Sequence, residues 1–116
     1  MPNWNLIEEG FLKLTHQMQL GELASCLARI KAWSLTGVLN REVVSIILDE
    51  AILYTSLLER ENPTTELAQL QQLLQDWRHS WLTISVSDAD ILNISAKSAA
   101  WSDRLLDMSG LLQLVN

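Results

Sequence analysis

Apolar residues return at steps of three and four along nearly the whole chain, and this periodicity limits the fold more than any other feature. In the last segment Ile91, Ile94, Ser98, Trp101, Leu105, Met108, Leu112 and Val115 keep the step without a gap. Leu67, Leu70, Leu74, Trp77 and Trp81 make a second stripe, with Gln69, Gln72, Asp76 and His79 on the opposite side. Val44, Ile47, Ala51, Tyr54 and Leu58 make a third, widened by Ile46, Leu53 and Leu57. Each set falls on one face of an α-helix, and an apolar face is stable only when another element covers it. Such seams suit antiparallel helices packed at shallow angles. The predicted fold is all-α: one domain over residues 1–116, an up-and-down helical bundle of four helices, or five if the first helix breaks near Gly21.

Local signals set the expected boundaries. Asn40 caps the second helix, and the periodicity carries it to about Glu61. Thr64 or Thr65 caps the third after Pro63, in "ERENPTTE", the clearest turn of the chain. Ser87 or Asp88 caps the last, where Asp88 and Asp90 complement the positive end of the helix dipole, and Gly110 weakens its final turns. "SLTGVLN" (34–40) and "LTISVSD" (82–88) read as connections. The second alternates apolar and polar residues but has no partner strand, so an extended loop is expected.

The first segment is different. Ile7, Phe11, Leu14 and Met18 share one face, whereas Leu20, Leu23, Leu27 and Ile30 lie nearly opposite on a continuous helix. Either one helix over residues 4–33 buries opposite sides in its two halves, or the chain breaks near Gln19–Gly21. The continuous helix is preferred by a narrow margin; Gly21 fits either, at about 1 kcal/mol relative to Ala inside a helix. The second face has two readings: a central helix contacted on both sides, or a surface against another chain. On the latter, Leu20, Leu23, Leu27, Ile30 and Trp33 form the candidate protein interface, because interface centres favour Trp and aliphatic anchors.

One local pattern resembles a known family. "WNLIEEGF" places Trp4, Ile7 and Phe11 as the tetratricopeptide repeat places its first-helix signature, with Leu27 at an apolar position of the second helix. The resemblance implies a helix–turn–helix, which would also explain the change of face near Gly21. Glu8, Leu20 and Ala32 stand where the family has glycine, a small residue and proline, and the pattern does not recur at the family's period of about 34 residues.

Charge and composition exclude several function classes. The chain carries 14 acidic and 8 basic side chains, a formal net charge of −6, and no cluster of Lys or Arg to bind a phosphate backbone, so no nucleic-acid partner is expected. No stretch approaches the roughly 20 apolar residues of a membrane span, and "MPNWNLIEEG" is no signal peptide, so a cytoplasmic protein without membrane contact is expected. The single cysteine, Cys26, fits a reducing compartment and offers no thiol-rich metal site. His16 and His79 stand apart from any helical Glu-x-x-His set, and Asp76–His79 lies opposite the leucine–tryptophan stripe. No phosphate loop, nucleophile elbow or paired carboxylate stands out. No catalytic residue, metal or cofactor is therefore assigned.

Ser95, Ser102 and Ser109 recur every seven residues beside the seam that holds Ser98. Small residues let helices approach closely, and a helical serine can satisfy its hydroxyl on its own backbone four residues earlier, so packing is the preferred role. Two functions remain. The first is a non-catalytic interaction or adaptor domain, binding a protein partner or a second copy of itself as a homodimer. The alternative is a small apolar-ligand-binding bundle whose pocket is lined by Trp77, Trp81, Ser98 and Trp101.

Overall fold

The computed structural model describes residues 2–37 and 40–110. These residues form six α-helices and no strand: α1 (Trp4–Leu12), α2 (His16–Leu35), α3 (Arg41–Glu61), α4 (Thr65–His79), α5 (Trp81–Ile84) and α6 (Asp88–Ser109). Four starts are capped by side chains: Asn3, Thr15, Thr64 and Ser87 accept the amides of Leu6, Met18, Leu67 and Asp90 at 3.1–3.3 Å. Each bond satisfies one of the amides that a helix N-terminus leaves open. Asn40 occupies the cap position of α3 but turns away, its amide donating to Thr36 Oγ1 at 2.9 Å.

The first segment breaks, but at Lys13–Thr15 rather than near Gly21, and no continuous helix covers residues 4–33. Thr15 supplies the reason: its backbone is extended and its hydroxyl starts a new helix on the Met18 amide. Gln19 then reaches back to donate to the Phe11 carbonyl at 3.0 Å, which also accepts the Leu14 amide at 3.1 Å, so the side chain ties the start of α2 to the end of α1. Gly21 lies inside α2. The helix–turn–helix implied by the tetratricopeptide resemblance exists in outline, but α1 packs chiefly on α3. There the Phe11 ring stacks on Tyr54, with centroids 4.1 Å apart and planes 9° from parallel.

α2 is the centre of the molecule. Its pairing with α6 is the most extensive, followed by that with α3, which in turn carries α4. The α2–α6 pair is antiparallel, because Gln17 lies beside Gly110, Ala24 meets Ser102, and Leu35 shares a depression with Leu92. α3 and α4 are antiparallel too, with Arg78 paired to Asp49 at 2.8 Å and Gln71 bonded to Ser56 at 2.7 Å. Leu20, Leu23, Leu27 and Ile30 are 0–2 % exposed. Their stripe is filled from within the chain, which corrects its reading as a surface for another molecule: α3 and α6 cover α2 from both sides.

Two further expectations change. Ile46 does not widen the buried stripe of α3 but is exposed, while Leu57 is buried and Leu53 half-buried. "LTISVSD" is not an extended loop throughout, since residues 81–84 form the single turn α5. Trp81 anchors that turn by donating its indole N–H to the Arg41 carbonyl at 3.1 Å. The Arg41 guanidinium ties it down further, bonding the Ser85 carbonyl and, at 3.1 Å, the Asp88 carboxylate. Gly110 ends α6 in the left-handed region (φ 73°), where a side chain would be strained. Leu112 and Val115 lie outside the described residues.

Candidate interaction surface

The serines of α6 show how its closest neighbour is accommodated. Ser95, Ser98, Ser102 and Ser109 are all buried. Ser102 donates across the helix pair to the Ala24 carbonyl at 2.8 Å, and Ser109 donates to the Leu106 carbonyl at 2.6 Å. The expected return to the carbonyl four residues earlier is made by Thr55, to Ala51 at 2.7 Å, and not by Ser95 or Ser98, whose hydroxyls have no hydrogen-bond partner. α2 answers with Gly21, Ala24, Ser25 and Ala28, which line a shallow groove with Ser102 and Leu106. Small side chains on both helices are what lets their backbones approach.

The four residues proposed to line a ligand pocket are not gathered into one. Trp77 and Trp81 are buried, and Trp81 borders a cleft between α3, α4 and α5. Ser98 lies one helical turn from Ser102, on the face of α6 turned to α2. Trp101 is half-buried, its ring covered by the Arg104 guanidinium 4.7 Å away. Arg104 also approaches Glu66 at 4.0 Å, which places Trp101 near the start of α4, whereas Trp77 lies near its end.

The polar residues weighed for catalysis are dispersed. His16 and His79 are exposed, and Asp76 accepts from Gln72 at 2.9 Å on the outer face of α4. Among the described residues no group of three or more His, Cys, Asp or Glu could hold a metal ion. Sequence reading missed a cluster between α2 and α3, where Arg29 Nη2 lies 3.1 Å from Cys26 Sγ and 3.2 Å from Glu50 Oε1, beside Tyr54. Burial, then the Glu50 charge, pushes the Cys26 thiol well above its ordinary value of 9.0. Burial and Glu50 push the Tyr54 hydroxyl above 10.0 in the same way. Both groups are held neutral, the opposite of an activated nucleophile.

A different feature stands out on the surface. Arg41 joins the starts of α3 and α6, so these two ends, the end of α2 and the α5 turn share one end of the molecule. Leu82 (88 % exposed), Val86 (78 %), Leu92 (62 %), Leu35, Ile46, Val43 and Trp33 all open there. Ile46 and Leu82 border the cleft on one side of Arg41, and Leu35 and Leu92 border a depression on the other. Trp33 is thus the one member of the predicted interface that reaches solvent. The signal for the others was present: Leu92 lies off the seam of α6, and Leu82 and Val86 alternate with polar residues in a segment with no strand to join.

Charge is divided between the two ends. Among the described residues, the half with α1, the start of α2, the end of α3, the start of α4 and the end of α6 holds eight acidic and three basic side chains, a net −5. The half with the apolar end holds six acidic and five basic, a net −1. Comparison with protein-family models, curated proteins and solved structures finds no match.

Proposed function

We propose that this chain is a non-catalytic helical interaction domain, its four long helices forming an up-and-down bundle, which docks through its apolar end onto a protein partner. The carrying observation is the gathering of seven large exposed apolar side chains at the end where α2 finishes and α3 and α6 begin. Together they present roughly 700 Å² of residue surface, near the ~800 Å² per partner of a standard interface. The fold supports the reading because Arg41 and Trp81 tie the α5 turn and the start of α6 to the start of α3, and a preformed surface loses little entropy on binding. The acidic balance disfavours nucleic acid as partner, and among the described residues no helix is long and apolar enough to cross a membrane.

Photo-crosslinking in the native host tests this. A photoreactive residue at position 82 or 92 is expected to give a defined heavier adduct, and one at position 69, on the polar face of α4, none. Adducts absent from 82 and 92, or equal at all three positions, would remove the proposal.

A further inference from the structure

We infer that the occupant of the apolar end is a second copy of this chain, seated about a two-fold axis. The inference rests on the reading of that end as a docking surface and adds the partner. Charge argues for it. A basic partner would be drawn to the opposite end, where net −5 is concentrated, whereas the apolar end carries only −1. Two copies meeting end to end bring together their least charged halves. Their acidic halves stay about 30 Å away along helices of 20–22 residues, several Debye lengths at physiological salt.

The charges that remain at this end have both signs. Asp90 stands in the first turn of α6 and Lys31 near the end of α2, both exposed, whereas Asp88 and Arg78 are already paired within the chain to Arg41 and Asp49. A two-fold axis brings each patch against its own copy, so opposite signs within one patch can pair across it. The roughly 700 Å² of exposed surface on these residues in each copy, covered in full, would bury a total near the lower end of standard dimer interfaces. The dimer is accordingly expected to dissociate in the micromolar range rather than to be permanent.

Sedimentation equilibrium of the full chain from micromolar to near-millimolar concentration is the test. The mass is expected to rise from that of one chain to that of two and stop there. Leu82→Asp/Leu92→Asp is expected to weaken association at least tenfold while leaving the helical circular dichroism unchanged, because both side chains are exposed. Leu12→Asp, at the acidic end, is expected to leave association intact. A wild-type chain that stays at one mass throughout would overturn the inference, as would association that survives the double substitution. A single-mass wild type with a position-82 adduct of another mass would remove the homodimer and keep the docking surface. No adduct at all would remove both.

Discussion

Replacing Ser98 by alanine is expected to make the protein more stable, although the residue is fully buried at the tightest helix contact. The Ser98 hydroxyl has no hydrogen-bond partner, and an unsatisfied buried polar group costs on the order of 1–3 kcal/mol. Alanine also has the better helix propensity, by about 0.5 kcal/mol. Removing one oxygen leaves a small void that offsets part of the gain. The net expectation is a stabilisation of about 1 kcal/mol, or roughly 4 °C in Tm for a chain of this length. Ser102→Ala provides the contrast, because that hydroxyl donates to the Ala24 carbonyl. Its loss costs about 1 kcal/mol, and with the propensity gain of about 0.5 a small net destabilisation remains. Ser98→Leu should cost 3 kcal/mol or more, since extra methylenes alone cost about 1–3 and this contact depends on small residues. Urea and thermal unfolding at sub-micromolar concentration, below the range expected for association, give all three values, with an unchanged m-value for the two alanines. A destabilisation of 1 kcal/mol or more for Ser98→Ala would show that its hydroxyl has a partner, and the packing account of the serines would fail.

Further outcomes follow from the same contacts. Leu27→Ala, at the centre of α2, is expected to cost 2–5 kcal/mol in the same unfolding assay, the range for a fully buried leucine, and an effect below 1 would contradict the central place of α2. Thr15→Ala removes the α2 cap and should cost about 1 kcal/mol, whereas Thr36→Ala, beyond the end of that helix, should cost less than half as much. Cys26 and Tyr54 have raised folded values, so they favour the folded state fully below their unfolded values of 9.0 and 10.0. Above pH 9 the unfolded chain releases these protons first, and stability should fall as pH rises; a urea midpoint flat from pH 8 to 10.5 would contradict this. Native Cys26 should also resist a thiol reagent at pH 8 until urea unfolds the chain.

The sequence alone determined the helices and most of what they bury. Steps of three and four place Val44, Ile47, Ala51, Tyr54 and Leu58 inside, as they do Leu67, Leu70, Leu74 and Trp77, because a helix face is fixed by local geometry. Two caps were equally legible, in Thr64 and Ser87, since each acts on an amide within a few residues of itself. Gly110, by contrast, was read as weakening the last turns and in the structure ends α6 as its left-handed cap. The Thr15 cap was legible in principle but hidden beneath a change of apolar face that Gly21 explained as readily.

Tertiary structure decided what faces solvent. Periodicity shows the apolar stripe of α2 but not what covers it; α3 and, some 80 residues further along, the serine- and alanine-rich α6 do so. The exposure of Leu82, Val86 and Leu92 likewise depends on Arg41 and Trp81 holding α5 in place across more than 40 residues of chain. Helices form from bonds between near neighbours, whereas exposure depends on which distant segment arrives. That is why α3, α4 and most of α6 could be read from the sequence, whereas the break at Thr15 and the α5 turn were not, and the candidate interface moved from the middle of α2 to the end of the molecule.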